Sequence, residues 1–137
     1  MKKVYLTWDD INSLVDKLAN EVSQTPVPPL YITGLPRGGL IPAVMLSHKL
    51  NIPFVNVSLI RSLPADDMLV VDDIADSGET LLQYKKYSTA VLHYKLQSEH
   101  IPTFFAAEIA DTDWIVYPWE REDSETIQDY LKNEQGD

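Results

Sequence analysis

The stretch "MLVVDDIADSGET", residues Met68 to Thr80, decides how this chain folds and where its chemistry lies. Its first four residues are apolar and predict a strand buried on both faces, as in a parallel sheet. Asp72 and Asp73 then arrive at the carboxyl end of that strand, where α/β sheets bind their ligands. Two adjacent carboxylates repel each other unless a cation or hydroxyl groups compensate, so the pair indicates a ligand or metal site.

A short polar turn, Asp76 to Thr80, follows the strand and leads into a predicted helix. Its backbone N–H groups and the hydroxyls of Ser77 and Thr80 suit a phosphate dianion, and Gly78 permits close approach of the backbone. The alternative is a polar loop in which Ser77 or Thr80 only caps the helix. The apolar residues and the acid pair ahead of the turn favour the phosphate site.

A second glycine-rich turn, "GLPRGG" at residues 34–39, follows another short apolar segment. Its glycines let backbone N–H groups point inward, and the guanidinium of Arg37 suits a bidentate grip on phosphate oxygens. The alternative is a tight turn with a solvated arginine.

Strand and helix signals alternate along the rest of the chain. A capping box at Thr7 and Asp10 begins an amphipathic helix that runs to about Ser23. The other predicted elements are a strand at 30–33, a helix at 40–50, strands at 53–60 and 68–72, a helix at 79–87, strands at 89–95 and 103–110, a strand or loop edge at 114–120, and a short helix at 123–131. This order predicts an α/β fold, a mainly parallel central sheet flanked by helices, and one domain over residues 1–137.

The composition argues against several classes of protein. The net charge of −10 argues against a nucleic-acid partner, which requires a basic surface. No apolar run approaches the ~20 residues of a membrane span, and "MKKVYLTWDD" lacks the apolar core of a signal peptide. Cysteine is absent, so disulfides and thiolate metal sites are excluded. We therefore expect a cytoplasmic protein without a membrane partner, in which a divalent cation offsets the acidic field around an anionic ligand.

"MLVVDDIADSGET" resembles the motif of type I phosphoribosyltransferases that binds 5-phosphoribosyl-1-pyrophosphate (PRPP). Members of this family use Mg²⁺ and exchange the pyrophosphate of PRPP for a nitrogenous base. The resemblance implies that Asp72 and Asp73 hold the ribose hydroxyls, directly or through Mg²⁺, that the turn cradles the 5′-phosphate, and that Asp76 is the catalytic base or electrostatic stabiliser. "GLPRGG" resembles the pyrophosphate loop of the same family. The implied PRPP-binding residues are Arg37, Gly38, Asp72, Asp73, Asp76, Ser77, Gly78, Glu79 and Thr80.

The segment "DWIVYPWE", residues 113–120, together with Lys95, resembles the bacterial xanthine-guanine and hypoxanthine phosphoribosyltransferases. This resemblance implies that Lys95 contacts the 6-oxo group of a purine, that Trp114 packs on the purine ring, and that Ile115 offers backbone groups to the base edge. The alternative for Trp114 is packing within the protein. Glu120 matches an acid that helps with a second metal, so the implied metal ligands are Asp72, Asp73 and Glu120.

The predicted function is Mg²⁺-dependent transfer of the 5-phosphoribosyl group from PRPP to xanthine, guanine or hypoxanthine, with release of pyrophosphate, in purine salvage by a homo-oligomer (dimer or tetramer). One feature departs from the family. Its members carry a long mobile loop that closes over PRPP, whereas this chain has only "RSLPADD", residues 61–67. The truncation favours the alternative of a PRPP- or nucleotide-binding regulatory module with weak or no catalysis. Arg61 is either a partial substitute that reaches pyrophosphate or a solvated loop residue.

The three histidines, His48, His93 and His100, share no metal-ligand spacing. We therefore expect structural or surface positions for all three. A phosphoacceptor domain is a further alternative for an acidic site at strand ends, but it gives no role to either glycine-containing turn.

Overall fold

The computed structural model describes residues 2–121 and confirms the predicted α/β fold. In chain order its elements are β1 Lys2–Tyr5, α1 Trp8–Ser23, β2 Tyr31–Gly34, α2 Leu40–Leu50, 3₁₀ helices at Val57–Ser62 and Ala65–Asp67, β3 Met68–Ala75, α3 Glu79–Leu82, β4 Ser88–Lys95, β5 Phe104–Ile109 and β6 Asp113–Val116. None of the helices within residues 2–121 has the length and apolar composition needed to cross a bilayer.

Four parallel strands form the central sheet in the order β2-β3-β4-β5, and β1 and β6 form a separate parallel pair. The register places Gly34 beside Val71 and Ala75 beside Tyr94. Because the strands are parallel, the loops that follow β2, β3 and β4 leave the sheet at the same edge. This edge carries the predicted PRPP-binding residues and Lys95, whereas Trp114 and Ile115 lie on β6 of the separate pair.

Successive side chains of β3 enter different hydrophobic clusters. Leu69 and Val71 pack with α1 and α2, whereas Met68 and Val70 pack with Leu35 and the residues around the first 3₁₀ helix. Residues 68–71 of β3 are all buried. The sheet is therefore covered on both sides, which explains why this strand is an uninterrupted apolar run.

Local sequence signals account for the two long helices. At the start of α1 the Asp10 amide donates to Thr7 Oγ1 (3.1 Å) and the Thr7 amide donates to Asp10 Oδ2 (2.8 Å), which completes the predicted capping box. α2 spans the predicted residues 40–50 and ends at Asn51, whose φ of 54° lies in the left-handed region that asparagine tolerates.

Three predicted elements were wrong in type or length. The strand predicted at 68–72 continues to Ala75, so the acid pair lies inside it. Residues 53–60 are not a strand: Phe54 makes one isolated bridge with Ile32, and a 3₁₀ helix follows because the Asn56 side chain accepts from the Ser58 amide at 2.9 Å. The helix predicted at 79–87 ends at Leu82. Turn-type hydrogen bonds replace it and bring Tyr87 into the core just before β4.

Other differences lie at the ends of the chain. β1 was not predicted, since its four residues show no apolar alternation and three are exposed; its pairing with β6 is a tertiary contact. The segment 114–120 contains a strand only as far as Val116. The helix predicted at 123–131 lies outside the described residues.

Candidate active site

The loop after β2 packs directly on the acid pair, Asp72 and Asp73, which lies within β3 close to its carboxyl end. The Leu35 amide donates to the Val71 carbonyl at 2.9 Å. A Cβ added to Gly38 would lie 2.7 Å from Asp73 Cγ and would overlap the carboxylate, so only glycine fits this approach. Arg37 is exposed beside it, and the peptide bond between Pro36 and Arg37 is cis. The structure therefore brings the two glycine-containing motifs of the sequence together.

The acid pair is fixed by its own backbone. The Asp73 amide donates to Asp72 Oδ1 at 2.9 Å, and the Ile74 amide donates to Asp73 Oδ1 at 2.8 Å. Asp73 is buried and Asp72 is half-buried. Each carboxylate thus accepts a hydrogen bond that offsets part of the cost of burying its charge.

The turn after β3 is shaped by Gly78, whose φ of 86° lies in the left-handed region. A Cβ there would also lie 2.6 Å from the Glu99 amide nitrogen, so the turn rests closely on the loop after β4. Ser77 joins the two segments, since its carbonyl accepts from the Glu99 amide at 2.7 Å. Within residues 2–121, the amides of Ser77, Gly78 and Thr80 make no hydrogen bond to protein.

Glu79 places a negative charge in the Asp76–Thr80 turn, which is the predicted phosphate site and is called the phosphate turn below. Its side chain is exposed, and its amide donates to Ser77 Oγ at 3.3 Å. Exposure to solvent reduces the repulsion that this carboxylate exerts on a bound phosphate.

Lys95 and Asp76 form an ion pair at the ends of β4 and β3. Lys95 Nζ lies 3.4 Å from Asp76 Oδ1 and donates to the Asp111 carbonyl at 3.2 Å. The Lys95 side chain is 5% exposed and that of Asp76 is 19% exposed. Gln97 Nε2 donates to the same Asp76 oxygen at 2.5 Å. A buried cation, the Asp76 carboxylate, the Asp111 main-chain carbonyl and the Gln97 side-chain amide thus converge at the ends of β3 and β4 and before β6.

Hydrogen bonds just before and just after β6 connect this strand to the central sheet. Before the strand, the Asp111 carbonyl accepts from Lys95; after it, the Tyr117 hydroxyl donates to the Asp73 carbonyl at 3.1 Å. Trp114 lies between these two attachments and is half-buried, whereas Ile115 is buried in the core cluster. The segment that carries the predicted base-binding residues is therefore anchored to Lys95 and Asp73.

Glu120 contacts the main chain of Tyr117 within the segment that follows β6. Its Oε1 accepts from the Tyr117 amide at 2.8 Å, and its own amide donates to the Tyr117 carbonyl at 3.0 Å. A role of this carboxylate toward a metal stays a prediction.

His93 and Tyr117 form a buried polar pair that sequence reasoning did not connect with the site. His93 Nδ1 lies 2.8 Å from the Tyr117 hydroxyl oxygen. Because that hydroxyl gives its one proton to the Asp73 carbonyl, hydrogen-bond rules assign the imidazole proton to Nδ1, which donates to Tyr117. The Trp119 ring stacks on Tyr117 with centroids 4.8 Å apart.

Burial governs the ionisation of this pair. It lowers the pKa of His93 to about 4. The pKa of Tyr117 is raised well above its ordinary value, first by burial and then by the nearby carboxylates, of which Asp73 contributes most and Glu120 next. Both side chains are therefore neutral at physiological pH.

The acid pair fits one kind of metal site. Within residues 2–121, no three histidine, aspartate or glutamate side chains converge as a cage made entirely of protein ligands would require. Mg²⁺ is often bound through one or two carboxylates and completes its coordination with water and substrate phosphate oxygens. Asp72 and Asp73, beside a glycine loop and the Asp76–Thr80 turn, match that donor set.

Known proteins resemble the chain over most of its length. A purine phosphoribosyltransferase structure from Pyrococcus horikoshii is 32% identical, with a TM-score of 0.72, over 88% of this chain and 96% of that one. The chain belongs to the type I phosphoribosyltransferase family and is a phosphoribosyltransferase. A xanthine-guanine phosphoribosyltransferase from Vibrio parahaemolyticus is 29% identical over 87% of this chain and 90% of its own length.

A third similar protein was solved with a bound nucleotide. The structure of a hypothetical protein from Neisseria gonorrhoeae with bound ppGpp is 25% identical, with a TM-score of 0.76, over 98% of this chain and 94% of that one. No protein-family model matches the chain.

Proposed function

We propose that this phosphoribosyltransferase transfers the 5-phosphoribosyl group of PRPP to a 6-oxopurine (xanthine, guanine or hypoxanthine) and releases pyrophosphate, as in purine salvage. One observation carries the proposal. An ion pair between buried Lys95 and half-buried Asp76 lies at the strand edge at which the Arg37–Gly38 loop meets the Asp72–Asp73 pair. Such an edge offers separate places for anionic groups and for a base with a carbonyl oxygen.

The PRPP half of the proposed site uses backbone groups more than cations. The amides of Ser77, Gly78 and Thr80 provide donors for the 5′-phosphate, with Glu79 directed to solvent. Asp72 and Asp73 accept from the ribose hydroxyls. Arg37 and the Gly38 amide bind the pyrophosphate, for which a guanidinium provides paired donors.

Mg²⁺ bound by Asp72 and Asp73, with Glu120 proposed to assist a second ion, would supply positive charge against the leaving pyrophosphate. The chain itself is too acidic to supply that charge, because its net charge is −10. PRPP binding should therefore disappear in excess chelator, and calorimetry with and without Mg²⁺ measures this directly. Tight PRPP binding in the presence of chelator would contradict the metal proposal.

The base half of the proposed site recognises the 6-oxopurine. The Lys95 ammonium donates to the 6-oxo group, Trp114 packs on the ring, and Ile115 presents backbone groups to the base edge. Asp76 accepts a proton from the purine, or stabilises it by hydrogen bonding, as the bond between the purine and the ribose forms. Accepting the proton is the role of a general base. The supporting observation is the anchoring of the β6 segment to Lys95 and Asp73.

The wider proposal concerns the whole protein. The 137 residues form one domain, which acts as a homo-oligomer (dimer or tetramer) in the cytoplasm with no nucleic-acid or membrane partner. Sedimentation of the purified protein tests the oligomer: a single monomeric species at assay concentration would contradict it.

A direct assay tests the main proposal. The protein is incubated with PRPP, Mg²⁺ and xanthine, guanine, hypoxanthine or adenine separately, and pyrophosphate release is measured. We expect release with at least one 6-oxopurine and much less with adenine, because a 6-amino group cannot accept from the Lys95 ammonium. Adenine as the preferred base, or no release with any base, would contradict the proposal.

A second candidate function is nucleotide binding with little catalysis. Two observations favour it: ordered 3₁₀ helices occupy the place of the long mobile loop, and a similar protein from Neisseria gonorrhoeae was solved with bound ppGpp. A lid excludes water and completes many transferase sites. Binding of ppGpp or a purine nucleotide without pyrophosphate release in the assay would favour this alternative.

A further inference from the structure

Asp76 Oδ1 accepts a hydrogen bond from Gln97 and forms an ion pair with Lys95. Gln97 Nε2 lies 2.5 Å away, whereas Lys95 Nζ lies 3.4 Å away. A charge-assisted hydrogen bond between an ammonium and a carboxylate is commonly about 2.7–2.9 Å long. The neutral amide therefore holds this carboxylate more closely than the cation does.

Lys95 has donors to spare. An ammonium carries three N–H groups, and within residues 2–121 its contacts are the long ones to Asp76 and to the Asp111 carbonyl at 3.2 Å. The side chain is 5% exposed, so any ligand that reaches it meets a cation with little competing water.

Gln97 is held in place independently of its side-chain contact. It lies in a tight turn closed by the hydrogen bond from the Ser98 amide to the Lys95 carbonyl at 2.9 Å. Its own amide donates to Asp111 Oδ1 at 3.2 Å. One residue thus connects the phosphate turn, through Asp76, with the loop that leads into β6.

We propose that Gln97 is a positioning residue: its side-chain amide holds the Asp76 carboxylate so that Lys95 can turn from Asp76 to the carbonyl oxygen of the base. The inference rests on the proposed function. If Asp76 had only Lys95 as its partner, binding the base would leave a half-buried carboxylate without a protein donor, which is unfavourable. Gln97 removes that penalty without neutralising the acid, because an amide donates a hydrogen bond but carries no charge.

Kinetics of Gln97→Leu test this role, with Gln83→Leu as the matched control. Gln83 is exposed and its hydrogen bond in the structure uses the main chain. We expect Gln97→Leu to lower kcat/KM for the base about 10-fold, the loss typical of one hydrogen bond to a charged group. The KM for PRPP should stay within about twofold, and the melting temperature should match that of the control.

An Asp76→Ala background separates positioning from other effects. There the amide has no carboxylate to hold, so adding Gln97→Leu should change base or purine nucleotide affinity by less than about twofold. Wild-type kinetics in Gln97→Leu, or an equal loss for PRPP and base with a lowered melting temperature, would overturn the positioning role.

A spectroscopic measurement tests the contact without turnover. The side-chain amide signals of Gln97 in a ¹H–¹⁵N spectrum are assigned by their loss in Gln97→Leu. They should shift in Asp76→Ala and stay in place in Gln83→Leu. Unchanged signals in Asp76→Ala would overturn the hydrogen bond itself.

Absence of turnover in the wild type would overturn the proposed function and this role together, whereas normal turnover in Gln97→Leu would overturn this role alone.

Discussion

The two halves of the proposed site are built in different ways. The PRPP half consists of one contiguous segment, Asp72 to Thr80, against which the loop at Gly38 packs. The base half is assembled from Lys95 at the end of β4, Gln97 in the loop after it, and Asp111 before β6. Asp76 belongs to both. A contiguous segment can carry its geometry in its own sequence, whereas the other half exists only after three strands are in register.

The halves also differ in their electrostatics. The phosphate turn relies on backbone amides and on Gly78, and it presents no buried cation within residues 76–80. The base half depends on a buried ammonium, which is stable only while acceptors surround it. Substitutions in the first half should therefore act through shape, and those in the second through charge and hydrogen bonding.

The largest expected effect comes from Asp76, where the halves meet. Asp76→Asn keeps the shape of the side chain but removes its negative charge. We expect turnover to fall about 10²–10⁴-fold, the range for loss of a general base, while the fold is retained. Steady-state pyrophosphate release and circular dichroism measure the two parts of this prediction.

Asp66→Asn is the control for that substitution, because Asp66 is an exposed acid in the second 3₁₀ helix. It removes the same charge away from the strand ends. Equal turnover in Asp76→Asn and the wild type would remove the proposed role of Asp76.

A smaller effect, confined to the PRPP half, is expected for Gly38→Ala. The added methyl group would overlap the Asp73 carboxylate and displace it. Overpacking of this kind typically costs about 1–3 kcal/mol, so the KM for PRPP should rise roughly 5- to 150-fold at that energy. The KM for the base should change little.

Ser58→Ala, an exposed substitution in the first 3₁₀ helix, serves as the control. Equal increases in the KM for PRPP and for the base in Gly38→Ala would contradict the prediction that this substitution affects the PRPP half alone.

The smallest effect at neutral pH concerns the buried pair that links β4, β3 and the segment after β6. His93 has a pKa of about 4 in the folded chain and near its ordinary 6.5 when unfolded. Between these values the unfolded chain binds more protons, so stability falls as the pH falls from 6.5 to 4. The limiting slope is about 1.4 kcal/mol per pH unit, so the whole loss is on the order of 3 kcal/mol.

His93→Phe should remove this part of the acid sensitivity. The measurement is the free energy of unfolding by urea at several pH values for both proteins. Parallel losses of stability in the wild type and in His93→Phe between pH 6.5 and 4 would contradict the burial of a neutral imidazole.

Much of the first half could be anticipated from local patterns. The apolar run ahead of Asp72 specified a buried parallel strand, and Gly78 in a polar turn indicated a close approach of the backbone, which the contact with the Glu99 amide confirms. The capping box at Thr7 likewise needed no tertiary information. Such signals act over a few residues, so they are visible before the chain folds.

Other features could not be predicted, because the local sequence signal was weak or favoured a different structure. Val and Ile between 55 and 60 suggested a strand, but the Asn56 cap and burial of Ile60 favour a 3₁₀ helix. The only hint of Gln97 was its place two residues after Lys95 in a strand-end turn. Nothing in the sequence distinguished Tyr117 from the other aromatic residues, although its hydroxyl donates to the Asp73 carbonyl, 44 residues away in sequence.

The sequence by itself determined the strand–acid–turn segment, the glycine loop that accompanies it and the alternation of strands and helices, because each depends on the preferences of neighbouring residues. Tertiary structure alone decided that Asp76 shares its oxygen between Lys95 and Gln97, and that β1 finds β6. Those contacts join residues that are distant in sequence. Their partners become neighbours only through the parallel register of the strands, and no short pattern encodes that register.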